Sequence, residues 1–205
     1  NTTIDNGYFA NLGSDATGIY LYDGGGETIT NNNITTSGSV YGIYTRYNED
    51  GGGTTITGNT ITGEKGIYVF ESNGSDISSN TITAVNIGIL VDNNTTVEIS
   101  QNNITGKIKE YGIYVEDGGN NDSTDGYDVR ITDNYIRRTD FNYSCCPSSY
   151  GIRKTSGNYG TLVKGNTVIY DDSTSLDNYV DNFYGIEAEY STIDSNYVEL
   201  HSETR

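Results

Sequence analysis

The stretch that decides the fold is ITGNTITGEKGIYV, residues 56–69. It contains two phrases: ITGNTI, in which two isoleucines five positions apart flank an asparagine, and GIYV, in which a glycine precedes an alternating apolar pattern. On one continuous strand, residues five positions apart would point to opposite faces. Ile56 and Ile61 can therefore face one core only if the chain turns a corner between them, near Asn59.

Both phrases recur along the whole chain, and repeats at this spacing are typical of a stacked solenoid. The first phrase occurs seven times, and a degenerate eighth copy starts at Ile4 with Gly7 in the asparagine position. The repeated asparagines are Asn32, Asn59, Asn80, Asn102, Asn134, Asn166 and Asn196. Because an amide both donates and accepts, we expect a hydrogen-bonded asparagine ladder. Because asparagine tolerates a left-handed backbone, we also expect it to turn the corner.

The second phrase predicts a strand whose isoleucine faces the core and whose next residue faces outward. Its isoleucines are Ile19, Ile43, Ile67, Ile89, Ile113, Ile152 and Ile186. The outward position holds an aromatic stripe of Tyr20, Tyr44, Tyr68 and Tyr114, with Leu90 between the last two. The stripe indicates a ladder that stabilises the sheet, a packing face for another subunit or a sugar-binding platform, and we rank subunit packing above sugar binding. Lys154 interrupts the next inward column, so we expect the sixth coil to be less regular.

The two phrases resemble the parallel β-helix repeats of the right-handed β-helix superfamily. That superfamily includes pectate-lyase-like enzymes, phage tailspikes and periplasmic accessory proteins related to copper delivery. The resemblance covers roughly residues 1–200 and implies an all-β, right-handed parallel β-helix of about seven to eight coils. We predict a single domain over residues 1–205, with a projecting insertion around residues 137–150. Such a fold hosts many unrelated activities.

The composition excludes some partners. The 205 residues carry a net charge of −17, which repels nucleic acid and anionic membranes. No apolar run is long enough to cross a membrane. The chain contains no methionine, so we expect either that a signal peptide was removed or that the chain was trimmed.

Asparagine sequons favour an extracellular or cell-surface location, although chance produces some in a chain rich in Asn and Thr. The predicted glycosylation sites are Asn1, Asn33, Asn73, Asn93, Asn94, Asn103, Asn121 and Asn142. Cys145 and Cys146 are adjacent, so they form a vicinal disulfide, bridge to neighbouring molecules or stay free. In an oxidising compartment we favour a disulfide.

The metal that the sequence favours is calcium. Asn121, Ser123 and Asp125 alternate before a glycine, as in the first half of a calcium loop, although Thr132 replaces the usual bidentate glutamate. The alternative is a flexible turn without metal. A copper site is not expected, since methionine is absent and the single histidine, His201, lies near the C-terminus.

We identify no catalytic residue. Adjacent acidic pairs such as Glu116-Asp117 could cleave a glycosidic bond, but 28 acidic residues produce such pairs by accident. Neither end carries an amphipathic helix that would cap the solenoid, and uncapped coils favour head-to-tail pairing. The sequence therefore predicts a secreted, non-enzymatic structural subunit that forms a filament or surface layer. The alternatives are a carbohydrate-binding or polysaccharide-cleaving β-helix and a trimeric fibre.

Overall fold

The computed structural model describes residues 2–10, 16–23, 25–46, 52–93, 96–116, 128–139, 148–155, 160–172 and 182–202. Within these residues the chain forms strands and turns, without a helix. The strands are β1 (Thr3–Asp5), β2 (Tyr8–Phe9), β3 (Ile19–Tyr22), β4 (Thr28–Thr30), β5 (Asn33–Thr35), β6 (Tyr41–Arg46), β7 (Thr55–Thr57), β8 (Thr60–Phe70), β9 (Ser75–Ser78), β10 (Thr81–Asp92), β11 (Val97–Ser100), β12 (Asn103–Gly106), β13 (Tyr111–Glu116), β14 (Val129–Thr132), β15 (Tyr135–Thr139), β16 (Ser148–Thr155), β17 (Thr161–Lys164), β18 (Thr167–Asp172), β19 (Asn182–Ala188), β20 (Ser191–Asp194) and β21 (Tyr197–Ser202).

The strands stack as three parallel faces. Face 1 is an eight-stranded sheet in the order β1-β4-β7-β9-β11-β14-β17-β20. Face 2 contains β2, β5, β12, β15, β18, β21 and the first halves of β8 and β10. Face 3 contains β3, β6, β13, β16, β19 and the second halves of β8 and β10. Strands one coil apart pair in parallel, so the eight coils form a right-handed parallel β-helix, as predicted.

The repeated isoleucines fill the core in vertical columns. On face 1, Ile29 pairs with Ile56, which pairs with Ile77, and all three are fully buried. The equivalent columns on faces 2 and 3 contain Ile34, Ile61, Ile82, Ile104 and Ile136, and Ile43, Ile67, Ile89, Ile113 and Ile152. Each β-branched side chain therefore packs on its own copy one rung away, which explains why the sequence repeats isoleucine at these positions.

The corner between faces 1 and 2 corrects one prediction. The left-handed residue is not the ladder asparagine but the residue immediately before it. These residues are Asn6, Asn31, Gly58, Ser79, Gln101, Asp133, Gly165 and Ser195, with φ between 53° and 69°. The turn is thus made by a position that tolerates several residue types, while the asparagine is selected for its hydrogen bonds.

The glycine of the second phrase is required by close packing. A Cβ atom at Gly66 would overlap the carbonyl oxygen of Gly88 on the next coil and lie 2.7 Å from Cγ2 of Ile82. The bend between faces 2 and 3 therefore brings backbone and side chain closer than any other residue allows.

Within the predicted insertion at residues 137–150, Arg137–Thr139 pairs within β15 and Ser148–Tyr150 within β16. Residues 140–147 lie outside the described part, so the projecting insertion stays a prediction. One further expectation changes, because the sixth coil is regular. Lys154 keeps the register between Val115 and Ala188 and is fully buried, with its ammonium 6.0 Å from the centre of the Tyr190 ring.

Candidate functional surface

The seven repeated asparagines form one continuous ladder inside the corner between faces 1 and 2. Asn32 illustrates the pattern: its backbone N–H and its Nδ2 both donate to Oδ1 of Asn59 at 3.0 Å, and Nδ2 also donates to the Ile4 carbonyl at 2.9 Å. The same bonds repeat up to Asn166 and Asn196. The ladder satisfies buried backbone groups at the turn and leaves none of these amides available for a ligand, so its role is structural.

The most distinctive exposed surface lies on face 3, where aromatic rings follow each other along the solenoid. We call it the tyrosine face, and it consists of Tyr20, Tyr22, Tyr41, Tyr44, Tyr68, Phe70, Tyr111, Tyr114, Tyr150 and Tyr184. The outward column predicted from the sequence runs through Tyr20, Tyr44, Tyr68, Leu90 and Tyr114 in direct register. It continues with Arg153 and Glu187 on the next two coils.

A second aromatic column was missed in the sequence analysis. Tyr111, Tyr150 and Tyr184 occupy the outward position immediately before the glycine and pair in register, and Tyr41 holds the same position three coils earlier. The signal was the dipeptide Tyr-Gly before four of the seven second phrases. The two columns double the width of the aromatic surface.

Neighbouring rings of the tyrosine face are stacked in some places and tilted in others, as Tyr20 and Tyr44 are at 50°. Tyr44 and Tyr68 have centroids 4.7 Å apart and an interplanar angle of 15°, and Tyr150 and Tyr184 are 4.9 Å apart at 13°. Rings stacked in this way turn their flat faces towards each other and their edges and hydroxyl groups towards solvent. Where the rings stack, the surface therefore offers hydrogen-bonding edges more than open aromatic faces.

Charged side chains are interleaved with the rings. The Arg153 guanidinium lies 4.4 Å from the centre of the Tyr150 ring, and it donates to the Tyr111 hydroxyl at 3.2 Å. On the third and fourth coils, the Tyr68 hydroxyl donates to Asp92 at 3.1 Å. These contacts hold the rings in fixed positions and make the surface a rigid, mixed aromatic and polar platform.

Burial shifts the ionisation of several phenols on the tyrosine face. Desolvation, together with the charge of Glu110, raises the pKa of Tyr41 to about 12. Desolvation and the adjacent Asp92 carboxylate raise the pKa of Tyr68 further, and desolvation raises the pKa of Tyr114 as well. These phenols are therefore neutral hydrogen-bond donors at physiological pH, and they are poor candidates for a catalytic base.

Four predicted glycosylation sites lie in the described part of the chain. Asn33, Asn73, Asn93 and Asn103 are all exposed. Asn1, Asn94, Asn121 and Asn142 lie outside the described residues, as do Cys145 and Cys146 and the calcium candidates Asn121, Ser123 and Asp125. Glycosylation, the disulfide and calcium binding stay predictions.

Across the described residues, no three His, Cys, Asp or Glu side chains cluster closely enough to hold a metal ion. No helix in the described residues is long and apolar enough to span a membrane. The tyrosine face is the candidate functional surface that remains.

Comparison with known proteins gives one match. Two overlapping segments, residues 1–148 and 53–203, match the family described as periplasmic copper-binding protein (NosD). Neither the curated proteins nor the solved structures contain a significant match to the chain. The family match spans the same coils that carry the asparagine ladder.

The described residues do not provide a donor set that fits copper. Copper sites draw on imidazole and sulfur ligands. The chain has no methionine, and its only histidine, His201, is exposed and lies 2.9 Å from the Glu199 carboxylate. The repeat, the fold and the length of the match nevertheless agree: the chain belongs to the NosD family of parallel β-helix proteins, which is described as periplasmic and therefore located outside the cytoplasm.

Proposed function

We propose that this chain is a non-enzymatic, structural β-solenoid at the cell surface or in the extracellular space, where copies associate end to end into a filament or layer. One observation carries the proposal. In the last described coil the inward side chains Ile193 and Val198 are 52% and 44% exposed, whereas Val163 and Val168, one coil earlier, are fully buried. A further rung stacked on this coil would cover them.

The backbone at this end also supports an added rung. The strands β20 and β21 each pair with one neighbour among the described strands and present their other edge. Unpaired edges recruit parallel strands through main-chain hydrogen bonds. We propose that the first coil of another copy supplies the strand, with Ile4 and Phe9 in the columns of Ile193 and Val198.

The energetics favour stacking in this direction. Covering the exposed parts of Ile193, Val198 and Leu200 contributes roughly 1 kcal/mol for each side chain, in addition to the edge hydrogen bonds. A contact between opposite ends is heterologous, so it repeats from copy to copy. Because each copy carries a net charge of −17, association should strengthen when salt screens the repulsion.

The test is analytical ultracentrifugation and negative-stain imaging of the purified native chain across a salt series. We expect filaments that lengthen with salt. Ile193→Lys should abolish them, because it places a charge in the stacking surface. Thr192→Lys is the matched control. It adds the same charge one residue away, on the outer side of the same strand. A wild-type monomer at high concentration and high salt, or equal loss in both variants, would contradict the proposal.

Glycan binding has weaker support. Sugar rings stack on open aromatic faces, but the stacked rings of the tyrosine face, such as Tyr44 and Tyr68, cover each other. The tyrosine face fits better as a lateral contact between neighbouring filaments, which the proposed layer requires.

A further inference from the structure

Face 2 carries a second ordered surface, formed by outward side chains on four consecutive coils. Each coil contributes a pair of residues flanking one buried isoleucine, and the pairs are Asn33 and Thr35, Thr60 and Thr62, Thr81 and Thr83, and Asn103 and Thr105. We call this set the threonine array. It is independent of the tyrosine face and of the end coils.

The threonine array is regular in two dimensions. Along the solenoid axis its members follow the strand spacing of about 4.8 Å, because Asn33, Thr60, Thr81 and Asn103 pair directly, as do Thr35, Thr62, Thr83 and Thr105. Along each strand the two members lie about 7 Å apart, which is two residues of extended chain. The result is a rectangular lattice of polar groups about 14 Å long.

The hydroxyl groups of this lattice are available to an external partner. Thr60, Thr62, Thr81 and Thr83 are exposed, and their side chains make no hydrogen bond to the described residues. Branching at Cβ restricts the χ1 angle of threonine, so each methyl and hydroxyl group has few orientations available. None of the eight members is charged, although the chain as a whole is strongly acidic.

Face 1 shows that the same sequence motif does not always produce such a surface. It also contains Thr-Ile-Thr at residues 28–30 and 55–57, but these threonines are half-buried. The Thr30 hydroxyl donates to Asp5 at 2.9 Å, and the column that contains Thr28 and Thr55 begins at Thr3 and continues with Asp76. The threonine positions of face 1 are therefore less exposed, partly bonded to neighbouring side chains and adjacent to charge.

We propose that the threonine array binds the surface of ice. The two repeats of the array are close to two oxygen repeats on the prism face of hexagonal ice, so the hydroxyl groups can occupy lattice positions while the methyl groups fill the spaces between them. Fixed χ1 angles mean that little conformational entropy is lost on binding. The absence of charge matters as well, because a charged group orders water around itself in a geometry that differs from ice.

Other occupants fit the array less well. A second copy of the chain would have to match the lattice against itself across a flat polar surface with little apolar area to bury. The array is bounded along the strands by Glu64 and Lys107, so its neutral part is narrow. Ice is a repeating solid and requires a small, regular and neutral contact.

The test is partition of the purified, unglycosylated native chain into slowly growing ice, with thermal hysteresis as the second readout. We expect the wild-type chain to enter the ice and to produce a measurable hysteresis gap. The double variant Thr62→Lys/Thr83→Lys should reduce the partition at least tenfold, because it places two charges in the lattice. Circular dichroism should show unchanged strand content, since both positions are exposed.

The matched control is Thr28→Lys/Thr55→Lys, which makes the same change in the same motif on face 1. It should enter the ice as the wild type does. Exclusion of the wild-type chain from ice, or equal loss in both double variants, would overturn the proposal. Loss of self-association in Thr62→Lys/Thr83→Lys by ultracentrifugation, without loss of ice partition, would instead assign the array to contact between copies and also overturn it.

Discussion

The side-chain oxygen of Asn80 accepts two hydrogen bonds from Asn59, one from its backbone N–H and one from Nδ2, both at 3.0 Å. The Nδ2 group of Asn80 in turn donates to the Ile56 carbonyl at 2.9 Å and to Asn102 at 3.0 Å. One buried side chain thus satisfies groups on the coil before it and the coil after it. The ladder ties the corner of each coil to its neighbours.

Replacing Asn80 by alanine should destabilise the protein by about 3 kcal/mol or more. The substitution leaves the Asn59 backbone N–H buried without its partner, which costs about 1–3 kcal/mol, and removes the Asn80 hydrogen bonds to the Ile56 carbonyl and to Asn102. Asn80→Asp should be similarly harmful, because a carboxylate cannot donate to the Ile56 carbonyl. The measurement is the urea midpoint of unfolding, with Thr81→Ala, the adjacent exposed residue, as the control. A shift in Asn80→Ala no larger than in Thr81→Ala would contradict the structural role of the ladder.

Replacing Gln101 by glycine should stabilise the protein by roughly 1 kcal/mol. Gln101 has φ of 56°, a left-handed conformation that costs non-glycine residues about 1–2 kcal/mol. Gly58 and Gly165 already hold the equivalent position on other coils. Gln101→Ala keeps the penalty and should be nearly neutral, so comparing the unfolding midpoints of the two variants isolates the backbone effect. A destabilised Gln101→Gly variant would show that the side chain matters more than φ.

Replacing Thr45 by valine should stabilise the protein by about 1–2 kcal/mol. Thr45 is fully buried in a column between Leu21 and Val69, and its hydroxyl has no hydrogen-bond partner among the described residues. Valine has almost the same shape and removes the desolvation cost of that hydroxyl. Thr55→Val, at a half-buried outward position, is the control. The midpoint temperature of thermal unfolding should rise for Thr45→Val and not for Thr55→Val. An unchanged or lower midpoint for Thr45→Val would indicate that the Thr45 hydroxyl has a hydrogen-bond partner.

The tyrosine face should make stability depend on alkaline pH. The pKa of Tyr41 in the folded state, about 12, lies above its ordinary value of 10.0, so the folded state holds the proton more tightly than the unfolded state. The contribution of protonated Tyr41 to the free energy of unfolding is complete below a pH of about 10 and is lost as the pH rises through about 12. Urea unfolding across this range should show the loss, and phenolate absorbance should show late ionisation.

The Tyr68→Phe variant separates the effect of the Tyr68 phenol on alkaline stability from that of the Tyr41 phenol. It removes the hydrogen bond to Asp92 and one shifted titration, so its stability should fall less steeply with alkaline pH than that of the wild type. Equal slopes for the two proteins would mean that Tyr68 ionises as easily in the folded state as in the unfolded state.

Much of the fold could be predicted because the information is local and repeated. Ile56 and Ile61 required a corner between them, and the same spacing on each coil determined which residues share a column. The left-handed position was misassigned because the asparagine and the residue before it both lie at the corner, and Gly58, Ser79 and Gln101 share no residue type. Lys154 was also misjudged, since the burial of a long cation depends on neighbours that are distant in sequence.

By itself, the sequence determined the parallel stack of about seven to eight coils and the inward and outward sides of each strand, because a period that repeats on every coil specifies register without further information. Only the tertiary structure decided which Thr-Ile-Thr copies lie exposed in a neutral array and which lie half-buried beside charge. It also decided which tyrosine rings stack and that the inward side chains of the last described coil stay open. These properties depend on what one coil places above another, and adjacent coils are separated by more than twenty residues of chain.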